Sequence, residues 1–466
     1  MSHRSLEDLL GTVGSPVELL RNSQMGANVF PGVPPEFTNW RDEQRAWQTT
    51  CLLFDQSFHM NDLLVRGPDA LALLTHLGVN SFDGFAFDRA KHFVPCSPEG
   101  YVIGDVILFP LAEDVFNLVG RAPALNWVTY HAETGGYDAT VELDLRTALR
   151  SDGRRRSYRF QLQGPDAMEI TERALGQAPP ELRFFRTTTV TIAGKAVGAL
   201  RHGMVGQPGW ELFGPWEDRD AVLEALLIAG EDLGLLRSGG RAYSSNTVES
   251  GWIPSPLPAV YSGEGLKAYR EWLPASGYEG SASMGGSFVS GDIEDYYFTP
   301  WDLGYGNYVK FDHDFVGREA LERMADAEHR QKVTLALDDE DVTRTIGTMF
   351  QKTDRAKFMD WPSAVYSMHP YDKVTVDGET VGVSTWISYS SNEGKMLTLA
   401  VLDAEHAEPG TEVTFVWGEE DGGTSKPTVE PHVQVEISAV VCPVPYVEAV
   451  RTSYAPGGWR ATSSLS

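Results

Sequence analysis

A glutamine and a histidine stand close together at the entrance to an apolar run of the sequence. Gln56 and His59 lie in the stretch FDQSFHM, just before NDLLVRGPDALALL. They are three positions apart, so they share a face if the segment is helical and not if it is extended. Such residues are either hydrogen-bonded structural groups or parts of a ligand site, and the residues alone leave both possibilities open.

An arginine at the end of a predicted strand indicates a negatively charged partner. Arg121 follows the apolar run FNLVG and precedes Ala-Pro. Burying an unpaired charge is costly, so an interior arginine at this position needs an anion. That anion is either a carboxylate of the protein or a carboxylate of a ligand.

Two further segments have the composition of ligand-binding loops. The run GGRAYSSNTVESGWIPSPLPAVY places Tyr243 and several other polar residues ahead of Trp252. Such polar density between glycines and prolines is common in functional loops. The run HGMVGQPGWELFGPW adds an aromatic residue and Glu211 in a glycine-rich bend, as a planar heterocyclic ligand would need. Trp252 could equally be a plain core aromatic.

Several other kinds of site lack their sequence motifs. The sequence contains no HExxH, no P-loop, no GxSxG and no GxGxxG opening a βαβ unit. The eleven histidines are scattered along the chain. We therefore predict no metal site.

The amino-acid composition limits the possible protein classes and binding partners. The 466 residues are enough for two to four domains, and 42% hydrophobic with 22% charged residues is ordinary globular composition. There are 38 Lys and Arg against 65 Asp and Glu, a formal charge of −27. That excess repels phosphate backbones and anionic membrane surfaces, so we expect no nucleic-acid or membrane partner.

The cysteines and the N-terminus indicate the compartment. Cys51, Cys96 and Cys442 are far apart and form no CxxC pair, which fits a reducing environment. No run reaches the length of a membrane span, and MSHRSLEDLL has no signal-peptide pattern. A cytoplasmic protein, a monomer or small homo-oligomer, is the prediction.

The elements that position these residues come from an internal repeat. Residues 63–78 (LLVRGPDALALLTHLG) and 159–176 (RFQLQGPDAMEITERALG) each place a strand-like run before Gly-Pro-Asp-Ala and a helical apolar pattern. Asp69 and Asp166 are expected to accept hydrogen bonds from unpaired helix amides. Two such units predict two related α+β subdomains, unless GPDA is a common helix start used twice by chance.

Other segments fit the same mixed class. GYVIGDVILFPL and DVFNLVGRAP predict paired strands, and residues 218–236 predict a helix. After about residue 340, short β-rich runs alternate with turns that contain Gly and Asp, which predicts a small all-β barrel. We therefore divide the chain into residues 1–340, with repeat units near 61–78 and 158–176, and a β-barrel domain, residues 341–466.

Together these segments resemble the glycine-cleavage T-protein family, the folate-dependent aminomethyltransferases. FDQSFHM followed by RGPDA is similar to that family's FDxSHM…RGPDA opening. LQGPDA, WELFGP, DLGYGNYVKFDHDFVGREAL and ISYSSNEGKMLTLAVLDAEHAEPGTEV match later landmarks in order. The resemblance implies two related α+β subdomains and a C-terminal β-barrel around a central folate channel. It makes residues 1–340 the folate-binding catalytic region.

Departures from the aminomethyltransferases favour one branch of the family. Arg121 stands where they carry Asn, Tyr243 stands where they carry Arg, and FDQSFHM holds one extra residue. VGRAPALNW, YHAETGGY and AYSSNTVESGWIPSPLPAVY resemble the tetrahydrofolate-dependent aryl-ether O-demethylases of lignin catabolism, which act on vanillate, 3-O-methylgallate or syringate. This resemblance implies methyl transfer from a methoxylated aromatic acid to N5 of tetrahydrofolate, giving the phenol and 5-methyltetrahydrofolate.

The same resemblance implies roles for the residues around the transferred methyl group. Tyr243 would donate a hydrogen bond to the leaving oxygen, because a phenol with a pKa of ~10 roughly matches a departing phenolate. His59 and Gln56 would orient Tyr243 or the pterin. Arg121 would hold the substrate carboxylate through a bidentate fork.

Further residues are assigned to the cofactor and to substrate size. Glu211 would accept hydrogen bonds from the amino edge of the pterin, Trp252 would pack on the ligand, and Gln163 is a further cofactor candidate. Asn28 stands where the vanillate-type enzymes have tyrosine, so its pocket could admit a ring with two methoxy groups and favour syringate. Asn28 could instead cap a turn on the way to Pro31.

Two other functions stay open from the sequence. One is another folate-dependent demethylation or aminomethyl transfer, on an amine, a sulfonium or a lipoyl arm. The other is a folate-binding protein without catalysis. Arg121 and Tyr243 favour the aryl-ether substrate, because an arginine and a phenol suit a carboxylate and a phenolate leaving group.

Overall fold

The computed structural model describes residues 4–462 except 151, 153, 255, 454 and 457. The α-helices of the described residues are α1 (Leu6–Val13), α2 (Pro16–Asn22), α3 (Trp40–Thr49), α4 (Ala70–Leu77), α5 (Ala122–Thr134), α6 (Ala167–Leu175), α7 (Arg219–Gly230), α8 (Gly240–Ser250), α9 (Lys267–Trp272), α10 (Tyr278–Ser281), α11 (Arg318–Met324), α12 (Asp339–Gly347), α13 (Glu448–Thr452) and α14 (Trp459–Thr462). The strands are β1 (Cys51–Asp55), β2 (Asn61–Arg66), β3 (Lys91–Phe93), β4 (Val106–Ala112), β5 (Val115–Gly120), β6 (Thr140–Asp144), β7 (Ser157–Gln163), β8 (Thr187–Ile192), β9 (Lys195–Arg201), β10 (Gly209–Pro215), β11 (Leu235–Arg237), β12 (Met284–Gly285), β13 (Gln331–Leu337), β14 (His369–Pro370), β15 (Asp372–Val376), β16 (Glu379–Ser390), β17 (Lys395–Leu402), β18 (Glu412–Trp417) and β19 (Val435–Cys442).

The strands form two larger sheets and a closed barrel. The first sheet has the order β3-β4-β5-β2-β6, and all its pairs are antiparallel. The second has the order β11-β1-β7-β10-β9-β8, with β1 and β11 parallel. The barrel has the order β13-β17-β16-β15-β18-β19. This arrangement confirms the predicted α+β class, including the paired strands β4 and β5.

The two GPDA segments make the same turn in the two sheets. Gly67 follows β2 with φ +137°, and Gly164 follows β7 with φ +145°. A Cβ at either glycine would lie 2.3 Å from a carbonyl oxygen, that of Asp138 or of Thr50. Only glycine avoids this clash. The shared close approach of backbone to backbone supports a repeated structural unit over a helix start used twice by chance.

The predicted helix caps are wrong. Neither Asp69 nor Asp166 makes a side-chain cap hydrogen bond to its helix. The Asp69 carboxylate accepts a hydrogen bond from the backbone N–H of Asp138 instead, at 2.9 Å. In both units the backbone N–H of the aspartate donates to a carbonyl just before the neighbouring strand, that of Asp138 before β6 or of Thr50 before β1. The aspartates therefore sit at a helix–sheet junction, where tertiary contacts replace local capping.

Two boundaries differ from those predicted. The helix expected over 218–236 ends at Gly230, and Gly234, with φ +70°, leads into β11. The barrel already begins with β13, which lies before residue 341. Helix α12 separates β13 from the other barrel strands, so the change in sequence texture near residue 340 does not include it. The division of the chain into two domains remains a prediction.

Apolar packing holds the first sheet against the elements around it. Leu63 of β2, Leu118 of β5 and Val128 of α5 are fully buried in one cluster, which also contains Val401 of barrel strand β17. Complete burial of one such side chain contributes about 1.5–3 kcal/mol. The strand ends that carry polar residues are thus fixed on a rigid frame. Among residues 4–462 as described, none of the helices combines the length and apolarity needed to cross a membrane.

Candidate active site

A cavity of about 1930 Å³ receives wall residues from both sheets and from the barrel. Val119 lines it from β5, Glu211 from β10 and Lys332 from β13. Helix α8 contributes Tyr243. The cavity is large enough for two ligands of the size of an aromatic acid and a pterin, because single drug-sized ligands occupy sites of about 300–1,000 Å³.

Gln56, His59 and Tyr243 form one cluster on the cavity wall. Gln56 and His59 lie in the turn between β1 and β2, so neither the helical nor the extended alternative holds. The Gln56 side-chain N–H donates to Tyr243 Oη at 3.1 Å. The His59 ring lies 4.9 Å from the Tyr243 ring, edge to face, and Phe30 packs on both rings. All three polar side chains line the cavity.

Burial sets the protonation states in this cluster. It lowers the pKa of His59 to about 3, and the positive charges of Arg146 and Arg121 act in the same direction. Burial also raises the pKa of Tyr243 above its ordinary value, although the hydrogen bond from Gln56 opposes this. At neutral pH the cluster thus contains a neutral imidazole and a protonated phenol. The sequence alone predicts an ordinary phenol pKa for Tyr243. That prediction is wrong, because it leaves out the desolvation of the buried hydroxyl.

Arg121 lies where β5 ends and α5 begins, and a second guanidinium, that of Arg146, lies near its own. Its side chain hydrogen-bonds Tyr278, the first residue of α10. Arg146 is close enough for its pKa to be lowered, by burial first and by the charge of Arg121 second. Both arginines and Tyr278 line the cavity. The arrangement offers several N–H donors to an anion on this side.

Asn28 lies in the segment between α2 and α3 and lines the same cavity. Its side-chain Nδ2 is buried and has no hydrogen-bond partner among the described residues. Gln56 Oε1 and His59 Nδ1 share this condition. Buried polar atoms are normally paired, so unpaired ones around a cavity are what a ligand would satisfy.

Glu211 is held in place by two basic residues. Arg159 forms a buried ion pair with its Oε1, and His202 Nδ1 lies 3.6 Å from its Oε2. Burial alone would raise the pKa of Glu211, but Arg159 and His202 more than offset this and hold it below its ordinary value. Glu211 is therefore an ionised carboxylate at the cavity wall, with lone pairs to spare for ligand donors.

Trp252 stands on the cavity wall and is not a core residue, being 37% exposed. Its indole N–H donates to Asp105 Oδ2 at 2.9 Å. The same oxygen accepts from the Tyr305 hydroxyl at 3.2 Å and lies 2.7 Å from His92 Nε2. This network fixes the plane of the indole ring, as a stacking surface requires.

Gln163 is fully buried behind the wall and does not line the cavity. Its Oε1 accepts hydrogen bonds from the backbone N–H groups of Met204 and Val205. Met204 itself lines the cavity. The position therefore supports a role in shaping the loop after β9 and not direct contact with a ligand.

The polar segment that carries Tyr243 is a helix, not the loop expected from its composition. Helix α8 buries its polar face: Ser245 accepts a hydrogen bond from Gln44 at 2.7 Å. Glu249 accepts from the Trp47 indole at 2.7 Å and from the Ser390 hydroxyl at 2.6 Å. These side chains satisfy one another between α3, α8 and the barrel, and packing has overridden the loop-like composition.

Several cavity residues were not found from the sequence. They are Asp105, His92, Arg146, Tyr278 and Lys332. Arg146 stands in the polar stretch DLRTALR with no apolar strand before it to flag a buried charge. Among the described residues, no group of three or more His, Cys, Asp or Glu side chains could hold a metal ion.

The chain belongs to the GCVT N-terminal domain family, which residues 22–255 match. Syringate O-demethylase from Sphingobium sp. is 61% identical over 457 residues, which cover 98% of this chain and 99% of that protein. Sesamin methylene transferase from Sinomonas sp. is 32% identical over 76% of this chain and 78% of that protein.

A solved structure agrees with the fold. The aminomethyltransferase T of the glycine cleavage system from Bartonella henselae matches over 92% of this chain and 95% of its own, with a TM-score of 0.59 and 20% identity. At that identity the likeness concerns the fold alone. It confirms the T-protein architecture predicted from the sequence.

Proposed function

We propose that the protein is a tetrahydrofolate-dependent O-demethylase that transfers the methyl group of a methoxylated aromatic acid to N5 of tetrahydrofolate. Syringate is the favoured substrate, ahead of vanillate and 3-O-methylgallate. The main support for this proposal is that Arg121 and the hydrogen-bonded pair of Tyr243 and Gln56 line one cavity. An anion-binding group and a phenol donor are what a benzoate and its departing phenolate require. The 61% identity to syringate O-demethylase supports the same substrate class.

The residues that line the cavity support tetrahydrofolate as the methyl acceptor. Glu211 is ionised and would accept from the pterin amino edge, while Trp252 offers an aromatic face held by Asp105. Burial lowers the pKa of Lys332 to about 8, with the charge of Asp105 opposing this. A cation in the cavity wall suits the carboxylates of the folate tail. When bound, tetrahydrofolate supplies a nucleophilic amine that an aryl ether needs.

The chain's own residues act mainly by position and by charge stabilisation. In the proposed reaction the methyl–oxygen bond would break as the methyl group passes to N5 of tetrahydrofolate. The proton that N5 then loses would balance the proton that the phenolate takes up. Tyr243 donates to the leaving oxygen without surrendering its proton, because its pKa lies above the ordinary value. Gln56 donates to Tyr243 Oη and leaves the phenol proton for the substrate. Neutral His59 packs against the ring and holds it.

We expect demethylation to depend strictly on tetrahydrofolate and on neither oxygen nor NADH. The purified protein would be incubated anaerobically with tetrahydrofolate and a panel of syringate, vanillate, 3-O-methylgallate and guaiacol, and the phenols and folates separated by chromatography. The proposal predicts equal amounts of phenol and 5-methyltetrahydrofolate. Formaldehyde in place of 5-methyltetrahydrofolate would contradict it, and tight folate binding without any phenol would indicate a non-catalytic folate-binding protein.

Asn28→Tyr should suppress syringate turnover selectively. A phenol ring in place of the carboxamide fills the space beside a second methoxy group, and overpacking of this kind costs about 1–3 kcal/mol. We expect kcat/KM to fall about 5- to 150-fold for syringate and to change little for vanillate, measured in competition between the two. Asn28→Ala is the control, because it removes the amide without adding volume. Unchanged selectivity in Asn28→Tyr would mean that Asn28 does not set substrate size.

A further inference from the structure

Arg146 lines the cavity, and none of the roles proposed above includes it. It follows β6, and its backbone N–H donates to Asn61 Oδ1 at 2.8 Å. One terminal guanidinium nitrogen donates to the carbonyl of Val29 at 2.8 Å. Its Nε is buried and has no hydrogen-bond partner in the part of the chain that the structure describes. The side chain thus reaches from the edge of the first sheet to the segment that carries Asn28, with donor capacity to spare.

The carboxylates near Arg146 are engaged elsewhere. Asp144, two residues earlier, is bound by Arg150 at 2.6 Å and by Arg155 at 3.0 Å. Asp62 pairs with Arg155 at 2.6 Å. The pKa of Arg146 is shifted by burial, by Arg121 and by Tyr278. Neither Asp144 nor Asp62 contributes to that shift. Arg146 is half-buried, and a partly desolvated guanidinium beside a second one is stabilised by a balancing anion.

The acid beside Tyr278 does not supply that anion. Glu279 is buried and accepts two hydrogen bonds from Asn126, at 3.0 and 3.1 Å. Burial raises the pKa of Glu279, and neither Arg121 nor Arg146 is among the groups that offset this. Two arginines therefore face one side of the cavity where the described part of the chain supplies no carboxylate to Arg146.

We propose that Arg146 is a second carboxylate-binding residue, which together with Arg121 and the Tyr278 hydroxyl binds the carboxylate of the aromatic acid. The inference rests on the proposed function, since it concerns the substrate of that reaction. Two guanidinium groups around one carboxylate fix both its position and the plane of its ring better than a single fork does. They also select a benzoate over a neutral aromatic ether.

The bond from Arg146 to Val29 raises a competing explanation, in which Arg146 only anchors the segment with Asn28. The two explanations differ for a ligand without charge. Loss of a carboxylate contact weakens syringate and spares the neutral syringamide. Loss of an anchor weakens both to the same extent, because both place methoxy groups beside Asn28.

The test is calorimetric binding of syringate and syringamide to Arg146→Met, with folic acid present because its oxidised pterin cannot accept the methyl group. We expect the dissociation constant to rise about 10- to 100-fold for syringate and about twofold or less for syringamide. Arg146→Lys keeps the charge and should recover part of the loss. Arg154→Met removes an exposed arginine of the same region and should change neither constant.

The outcomes distinguish a failure of the role proposed for Arg146 from a failure of the proposed function. Equal weakening of both ligands, or unchanged syringate binding in a folded Arg146→Met protein, overturns the role of Arg146 and leaves the proposed function standing. If the parent protein binds neither ligand in the presence of folic acid, the proposed function itself fails, and the inference with it. Thermal melting of each variant verifies that it is folded.

Discussion

Tyr243→Phe is expected to lower kcat by about 10²–10³ with little change in KM, because it removes a donor that acts on charge developing in the transition state. The ring remains, so its packing against Phe30, Phe54 and His59 should persist. The lost hydroxyl leaves the Gln56 amide with only a weak contact to Met204 Sδ at 4.0 Å, which costs about 1–3 kcal/mol of stability. Steady-state kinetics with syringate and a melting curve measure the two effects separately.

A matched control exists at Tyr269. Its hydroxyl is buried with no partner among the residues that the structure describes and does not line the cavity, so Tyr269→Phe should leave kcat unchanged. A normal kcat in Tyr243→Phe would show that another group stabilises the leaving oxygen. His59 would be next in line, but burial keeps it neutral, with a pKa of about 3, and a neutral imidazole is the weaker donor.

Arg121→Ala should cost about 2–4 kcal/mol in kcat/KM for methoxybenzoates, or about 30- to 1,000-fold, because it removes a partner of a buried carboxylate. The loss should be far smaller for guaiacol, which has no carboxylate and should be a poor substrate of the parent protein. Kinetics with syringate, vanillate and guaiacol would measure both effects.

Arg121→Lys is the conservative comparison, since it keeps the charge and loses the planar fork. Intermediate activity in Arg121→Lys would indicate that both charge and geometry matter. If Arg121→Ala leaves kcat/KM for methoxybenzoates unchanged while the protein stays folded, Arg121 does not bind the substrate. Its hydrogen bond to Tyr278 would then be its structural role.

Features with a local cause were predictable from the sequence. The GPDA repeat predicted two related strand–turn–helix units because the turn requires glycine at a positive φ, as at Gly67 and Gly164. Short β-rich runs between turns that contain Gly and Asp predicted the barrel strands β15 to β18. Arg121 was found because an arginine directly after an apolar strand is conspicuous. In each case neighbouring residues carry the signal.

Features set by tertiary contacts were not predictable in the same way. Helix α8 looked like a loop because its polar residues bond to α3 and the barrel, which are far away in sequence. Arg146 and Tyr278 meet Arg121 only after folding. The raised pKa of Tyr243 depends on burial, to which Phe54 of β1 and Phe30 contribute by packing on its ring. None of these tertiary contacts can be read from a single sequence.

The most direct test follows the methyl group itself. Syringate carrying ¹³C in its methoxy groups would be incubated anaerobically with the protein and unlabelled tetrahydrofolate, and the folates analysed by mass spectrometry and NMR. We expect the label in the N5-methyl group of 5-methyltetrahydrofolate, in an amount equal to the demethylated phenol. Label in formaldehyde or methanol, or phenol formed at the same rate without tetrahydrofolate, would contradict it.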